Sequence, residues 1–324
     1  MESFSAYKIM SGILAGLFTV VVSIAILSIA NIAPDFSFFL GCFLSLPIFI
    51  VAFGWGTLTS FISLISAAVI LIITTGVYIS LSLTFLFFLP AFYASWLLGL
   101  ARPSQKGSLL IWYPLPSVIF HLTNFIALIS SLMGLYVQTN PSTLMIAKKV
   151  IANIVQTMQQ SQSIKETDMH ALSELLMTHT AALIAIPLAI YSIISLIGNL
   201  YFSMIVARYM KWLKRPRDDW GKTFRLPISG LIVFIVVCIA SMVELGFTLN
   251  LSAQVFTIAY TIVISISGLA YLHDITKGIN GRIIILLYIA VLTVVFAPPI
   301  AFMLLLMGIW ATVQSKFQLF GKFR

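Results

Sequence analysis

Few polar side chains lie inside the long apolar runs of this sequence, and those few are its candidates for chemistry. His121 and Asn124 are three residues apart, so they share one helical face, and we expect both near mid-bilayer. A histidine at that depth can titrate or hydrogen-bond a ligand, and an asparagine can supply a second hydrogen bond. The alternative is that both side chains only join helices by hydrogen bonds.

Two further polar residues belong to the same set of candidates. Asn199 lies in the sixth apolar run and forms a stripe with Ser192, Ser195 and Ser203, which is typical of helix–helix contacts. Glu244 lies near the outer end of the seventh run, where a carboxylate can coordinate a cation or a substrate. The substrate-binding hypothesis therefore comprises His121, Asn124, Asn199 and Glu244.

The motifs of soluble enzymes are absent from the sequence. It contains no phosphate-binding loop ending in Lys-Ser/Thr, no HExxH and no G-x-S-x-G. Cys42 and Cys238 have no metal-ligand or disulfide spacing. Asp218 and Asp219 are the one adjacent carboxylate pair, and we expect them to pair with Arg215 and Arg217 or to cap the turn after Pro216. We therefore expect no enzymatic activity, no catalytic residue, no metal and no cofactor.

Composition identifies the kind of protein. The chain is 60% hydrophobic and 8% charged, and its mean hydropathy is +1.09, whereas soluble domains are about 25% charged. The fold class is therefore all-α, a polytopic transmembrane helical bundle. The net charge of +9 lies in loops and not on a soluble module, so no nucleic acid is expected. The candidate spans are 9–30, 36–53, 57–77, 80–100, 110–136, 177–207, 226–247, 252–272 and 283–315.

The last run contains Pro298 and Pro299, so it is either one kinked span or two short ones, 283–297 and 300–315. With ten spans both termini are cytoplasmic, and 15 of the 18 basic residues lie on the cytoplasmic side. Nine spans would move three of them outward, so the positive-inside rule favours about ten. The segment from Arg208 to Arg225 holds seven basic residues and defines that side. We call it the basic loop.

The segment 137–176 is the long external connection. Asn140-Pro141 predicts a helix start, and Ala147, Val150, Ile151, Ile154, Val155 and Met158 follow one helical face. Ser163-x-x-Glu166 predicts a capping box for a second helix that continues into the sixth span. The segment is either a lid over an outward-facing cavity or a helix lying on the lipid surface.

The chain is expected to divide into residues 1–208, the cytoplasmic loop 209–225 and a C-terminal unit 226–324. Gly12, Ala15 and Gly16 of the first span are small residues that allow close helix approach, to a partner or within the bundle. Arg215 and Arg217 are the candidates for partner contact from the basic loop.

Five short motifs give the chain a resemblance to the YybS-like bacterial membrane proteins, a domain family of unknown function. They are Gly198-Asn199-Leu200, Phe224-Arg225-Leu226-Pro227, Gly268-Leu269-Ala270, Leu306-Met307-Gly308 and the terminal Phe323-Arg324. That family is distantly similar to the substrate-binding S components of energy-coupling-factor vitamin transporters. The resemblance implies a six-helix binding unit over residues 8–208, in a multi-pass protein of the bacterial inner membrane.

Three functions remain open at this point. The first is a small-molecule binding or transport subunit, with an outward-facing cavity between the fifth and sixth spans and partner subunits that supply ATP hydrolysis. The second is a membrane scaffold whose basic loop meets anionic lipids or a cytoplasmic protein. The third and least favoured is an intramembrane enzyme using His121 and Glu244. The expected partners are membrane lipids, other transporter subunits and a small-molecule ligand.

Overall fold

A computed structural model describes residues 6–30, 32–104, 110–160, 166–282, 284 and 297–321. It is an all-α membrane bundle, and within these described residues seven helical segments are long and apolar enough to cross a membrane. The protein is therefore a multi-pass membrane protein. The following predicted features lie outside the described residues: Lys106, Ser163, Lys165, Lys322, Phe323, Arg324, the Met158 side chain and most of 283–296.

The N-terminal half contains six helices, one π-helical turn and a short hairpin. They are α1 (Ala6–Ile29), α2 (Pro34–Gly41), α3 (Leu46–Trp55), α4 (Thr57–Thr75), α5 (Val77–Leu83), the π turn (Thr84–Phe88), α6 (Leu89–Gly99), β1 (Ala101–Pro103) and β2 (Leu110–Trp112). The hairpin pairs Ala101 with Trp112 and Pro103 with Leu110 in antiparallel register.

The remaining helices form the centre and one side of the bundle. They are α7 (Leu115–Thr139), α8 (Pro141–Gln160), α9 (Glu166–Thr178), α10 (Thr180–Tyr209), α11 (Trp220–Thr223), α12 (Ile228–Met242), α13 (Phe247–Ile275) and α14 (Ala297–Gly321). Helices α7, α10 and α13 pack on one another, and one hydrophobic core includes residues from both sides of the basic loop.

Three predicted spans differ from the observed helices. The second is broken by a turn at 42–45, and the fourth contains the π turn directly before Pro90, which lacks an amide N–H. The fifth was expected from residue 110, but 110–112 is a β-strand and the helix begins at Leu115. Hydropathy cannot separate an apolar strand from the start of an apolar helix.

Glycines allow close contact in two helix pairs. A Cβ at Gly12 would lie 2.8 Å from the Thr59 carbonyl oxygen of α4, and one at Gly16 would lie 2.8 Å from that of Ser63. A Cβ at Gly268 would overlap the Leu304 carbonyl, and one at Gly308 would overlap that of Ile264. Helices α1 and α4, and α13 and α14, therefore approach backbone to backbone.

Helix α14 is described from Ala297, directly before the proline pair. Residues 285–296 lie outside the described part of the chain, so the choice between one kinked span and two short ones stays a prediction. Ser265 donates to the Ala301 carbonyl oxygen at 3.4 Å, while Tyr271 and Gln314 lie in the wall of one cavity further along. Helices α13 and α14 therefore run in the same direction.

Helices α8 and α9 form a hairpin at the end of the bundle far from the basic loop. Asn140 caps α8 by accepting from the Ser142 and Thr143 amides at 3.1 and 3.2 Å. The predicted apolar face of α8 is only half buried, because Ile151 and Val155 pack on α9 whereas Val150 and Ile154 are exposed. The second helix leads into the sixth span with only His179 between them: α9 ends at Thr178 and α10 begins at Thr180.

Candidate functional site: a polar cavity at the basic-loop end

The basic loop forms part of the wall of an open cavity of about 1190 Å³ at its end of the bundle, with both polar and apolar lining. Its walls come from β2, the first turn of α7, the basic loop with α11, the start of α12, the last turns of α13 and Gln314 of α14. The chain has few charged residues, yet five line this space: Arg215, Asp218, Lys222, Arg225 and Asp274. Trp112 and Tyr271 add aromatic surface.

Arg215 is buried in the wall, with 7% of its surface exposed. Its Nε and Nη2 donate to the two Asp218 carboxylate oxygens at 2.7 and 3.1 Å. Its Nη1 donates to the Tyr113 carbonyl oxygen at 2.7 Å and to that of Leu98, at the end of α6, at 3.4 Å. Arg215 therefore ties the basic loop to α6 and to the residue after β2.

Arg225 occupies the same wall with different partners. Its Nη1 donates to the Ala311 carbonyl oxygen at 3.1 Å, and its guanidinium carbon lies 5.6 Å from the centre of the Tyr271 ring. Its Nε is buried and has no hydrogen-bond partner among the described residues. An unpaired buried donor on a cation is costly, so this arginine has an incomplete set of interactions.

A second ionic cluster joins the basic loop to the end of α13. Lys277 Nζ donates to Asp274 at 2.7 Å and to Asp219 at 2.9 Å. The hydrogen bond from Lys277 lowers the pKa of Asp219, and the hydrogen bond to Asp274 raises the pKa of Lys277. Asp218 thus pairs with Arg215 as expected, whereas Asp219 pairs with Lys277 and not with Arg217.

Two helix N-termini face the cavity. The first residues of α7 and the residues before α12 line it, and neither helix has a side-chain cap. The amide groups of a helix's first turn carry partial positive charge, so both termini favour a negative group in this space. The last turn of α13 also lines the cavity, but its Asp274 is neutralised by Lys277.

His121 lies in the second turn of α7, toward the end of that helix at the basic loop. It is six residues past Leu115, or roughly 9 Å along α7 at ~1.5 Å per residue. Its Nε2 lies 3.1 Å from the Tyr113 hydroxyl, and its ring contacts Tyr93 of α6 edge-on. His121 is fewer residues into its helix than the sequence predicted, because residues 110–112 form the β2 strand and not the start of α7.

Asn124 faces a different neighbour. Its Oδ1 accepts from the hydroxyl of Tyr260, a fully buried residue of α13, at 3.0 Å, and its Nδ2 donates to the Phe120 carbonyl oxygen at 2.8 Å. His121 therefore contacts α6 and the residue after β2, while Asn124 links α7 to α13.

Asn199 lies against the break between α2 and α3. Its Nδ2 donates to Ser45 Oγ at 2.7 Å, and Ser195 of the same stripe donates to the Cys42 carbonyl oxygen at 2.9 Å. Tyr191 donates to the Phe38 carbonyl oxygen at 2.9 Å. This row of α10 thus binds main-chain and side-chain groups that the broken helix cannot pair internally.

Glu244 is exposed in the turn between α12 and α13, at the end far from the basic loop. Helix α12 covers roughly 21 Å from Ile228 to Met242 at ~1.5 Å per residue, and Glu244 lies just past its end. The four predicted substrate-binding residues therefore do not converge on one site. None of them lines the polar cavity, and their binding role stays a prediction.

Helices α7 and α10, from which the outward-facing cavity was expected to be lined, meet closely at Gly134. A Cβ at Gly134 of α7 would lie 2.8 Å from Ala185 Cβ of α10 and 3.2 Å from the Ala181 carbonyl oxygen. Such close backbone approach leaves no room for a ligand at this level.

The predicted partner contacts are largely used within the bundle. Gly12 and Gly16 pack against α4, so their close approach is to a helix of the same chain and not to a partner. Ala15 lines an apolar groove of about 440 Å³ between α1 and α3. Arg215 is buried, and only Arg217 of the two loop arginines is exposed.

Sequence reasoning missed Lys222, Arg225, Trp112 and Tyr271, which line the cavity. The seven basic residues form one charge run in the sequence, from which only Arg215 and Arg217 are singled out, as partner-contact candidates. One signal singles out Arg225: it directly precedes Leu226 and Pro227 at the start of an apolar run, so it must lie at the membrane edge.

No protein-family model, curated protein or solved structure matches the chain. In the described part of the chain, no three His, Cys, Asp or Glu side chains are close enough together to hold a metal ion. Fold and cavity together define the class: an all-α, multi-pass membrane protein with a charged cavity at one end of its bundle.

Proposed function

We propose that this protein is a small-molecule-binding subunit of a transporter in the bacterial inner membrane. The cavity at the basic-loop end is its ligand site. The observation that carries this proposal is the polar cavity of about 1190 Å³, which gathers five charged residues in a chain that is 8% charged. A well-formed pocket toward which several polar groups converge is the usual first hypothesis for a binding site.

Ten crossings with both termini cytoplasmic is the topology that we propose. Tyr7 at the start of α1 contacts Trp55, whose ring centre lies 4.8 Å from that of Trp212 in the basic loop. Ala311 near the end of α14 accepts from Arg225. Helices α13 and α14 run in the same direction, so the chain between them has to return to the far end. The positive-inside rule puts the basic loop in the cytoplasm.

The energy for transport has to come from other subunits, because the sequence has no nucleotide-binding motif. The proposed division into 1–208, 209–225 and 226–324 gives the basic loop a joining role. Arg215 binds the first unit, whereas Arg225 and Asp219 bind the second.

Purification at natural abundance in a mild detergent, followed by native mass spectrometry, tests the proposal. A retained small molecule together with ATPase subunits is the expected result. An empty protein that carries a stoichiometric partner without ATPase activity would contradict it.

A membrane scaffold remains a second candidate because part of the basic loop is free on the surface. Lys211, Lys214 and Arg217 are exposed beside Tyr209, which is the pattern of a surface attracted to anionic lipid. If scaffolding is the function, neutralising these three residues abolishes it and variants of the cavity do not. Complementation of a deletion strain with each set of variants separates the two candidates.

A further inference from the structure

We propose that the cavity binds a phosphate-bearing anion, with the Nε/Nη2 edge of Arg225 as its main contact and Lys222 as a second positive group. The proposal rests on the proposed function, since it names the ligand class of the same site. A phospholipid headgroup and a soluble phosphorylated molecule share this chemistry.

The argument starts from a comparison of two arginines in one wall. Arg215 uses its Nε/Nη2 edge to hold both oxygens of Asp218, and its Nη1 binds carbonyl oxygens. Arg225 also uses Nη1 for a carbonyl oxygen, that of Ala311, but its Nε has no partner among the described residues. The edge that receives a carboxylate in Arg215 is thus without an oxyanion in Arg225.

That edge has the geometry that an oxyanion needs. Two parallel N–H groups of a guanidinium bind two oxygens of a carboxylate or phosphate, and such charge-assisted pairs are among the strongest hydrogen bonds in proteins. The Nε atom is shielded from solvent, so the guanidinium must turn toward the cavity for the ligand to reach it. Its one hydrogen bond to Ala311 permits that movement more readily than the four bonds of Arg215 would.

The charge balance of the wall points the same way. Both acidic residues already have cationic partners, Asp218 with Arg215 and Asp274 with Lys277. Arg225 forms no ion pair among the described residues, and the exposed Lys222 acts on Asp219 only through its charge. The cavity therefore has a surplus of positive charge, to which the uncapped N-termini of α7 and α12 add.

Isothermal titration calorimetry on the full chain in a neutral detergent tests the proposal. Sodium pyrophosphate is the soluble probe, dihexanoyl phosphatidylglycerol is the lipid probe, and dihexanoyl phosphatidylcholine controls for the acyl chains. The wild-type protein should bind at least one of the two anions more tightly than the control lipid. Binding of pyrophosphate alone assigns the site to a soluble molecule, and binding of phosphatidylglycerol alone assigns it to a lipid.

Matched variants locate the site. Arg225→Gln should weaken anion binding about ten-fold, as expected from the loss of a charge-assisted fork, whereas Arg217→Gln, an exposed residue outside the cavity, should not change it. If Arg225→Gln does not fold, Lys222→Gln and Lys214→Gln form a second pair, of which only Lys222→Gln should weaken binding. Unchanged binding in the cavity variant, or no binding of either anion to the wild type, would overturn the proposal.

This test can fail independently of the proposed function. If the protein co-purifies with a small molecule and ATPase subunits but binds neither anion, the transport role is supported and the anion site is contradicted. If the protein binds the anions through Arg225 but co-purifies with no ATPase, the anion site is supported and the transport role is contradicted.

Discussion

Arg215 and Asp218 form a two-point ion pair inside the wall of the cavity, with Nε–Oδ2 and Nη2–Oδ1 distances of 2.7 and 3.1 Å. The pair closes a tight turn of the basic loop, and Arg215 reaches from it to carbonyl oxygens of Leu98 and Tyr113. A loop read from the sequence as a topology signal is therefore also a structural part of the bundle.

Replacing Arg215 should destabilise the protein strongly. Arg215→Met leaves the Asp218 carboxylate partly buried without its partner, and two carbonyl oxygens lose a donor, so we expect a loss of about 2–4 kcal/mol. Thermal unfolding in detergent measures it. Arg217→Met is the control, because Arg217 is exposed and its loss should cost less than about 0.5 kcal/mol. Equal effects of the two variants would contradict this role of Arg215.

The contact between α13 and α14 should not tolerate a side chain at Gly268. Gly268→Ala places a methyl group on the Leu304 carbonyl and forces the helices apart, which should cost about 1–3 kcal/mol. Gly198→Ala is the matched control, because no atom lies within 4 Å of its new methyl group and alanine favours helix. Melting temperatures of both variants decide. A Gly268→Ala protein as stable as Gly198→Ala would mean that the helices do not meet here.

Asn199 and Ser45 should be energetically coupled. Asn199→Ala and Ser45→Ala remove the same buried hydrogen bond, so their double-mutant cycle should give a coupling of about 0.5–1.5 kcal/mol. Ser203→Ala with Ser45→Ala is the control pair, since Ser203 bonds within its own helix. If Asn199 serves a substrate instead, Asn199→Ala should lower affinity without any coupling to Ser45.

The cluster around Lys277 should make stability depend on pH at both extremes. The pKa of Asp219 is lowered on folding, so its contribution is present above the ordinary carboxyl range, about 4, and disappears as pH falls through the lowered pKa. The pKa of Lys277 is raised, so its contribution is present below the ordinary lysine value, about 10.4, and disappears as pH rises through the raised pKa.

Lys277→Met should remove this dependence and have a small effect at neutral pH, because the cluster is largely exposed and screened by salt. The unfolding temperatures of Lys277→Met and of the wild type should be measured between about pH 3 and about pH 11, at low and high salt. This pH range includes the ordinary pKa values of both groups. Identical pH profiles for the two proteins would show that the cluster is not formed.

The sequence predicted the helices well where the determining property is local. The free energy of transferring a residue into lipid depends mainly on that residue alone, so hydropathy finds membrane helices. The apolar run at 57–77 thus identifies α4, Thr57–Thr75. The Arg215–Asp218 pair was also within reach, because the two residues are three apart. Contacts between residues far apart in the sequence could not be predicted in this way. Lys277 binds Asp219 across 58 residues of sequence, and hydropathy carries no information on that pairing.

The site was harder to predict than the fold. His121, Asn124 and Asn199 are polar residues in apolar runs, and the structure gives each of them a partner within the bundle. In the sequence Arg225 belongs to a charge run, and its place directly before an apolar run is the signal that separates it from Arg217. Its contacts with Ala311 and Tyr271 are visible only in the structure. A polar residue in an apolar run predicts that its side chain is hydrogen-bonded. Whether that side chain can bind a ligand is known only once its partners in the structure are known.

Native mass spectrometry of three proteins tests most directly whether the cavity is a ligand site. Ile275 lines the cavity, so Ile275→Trp should fill part of it, whereas Ile279→Trp places the same ring in the following loop, outside the wall. We predict a small-molecule adduct on the wild type and on Ile279→Trp, and its loss from Ile275→Trp. The same adduct on all three proteins, or on none, would contradict the assignment of the ligand site to this cavity.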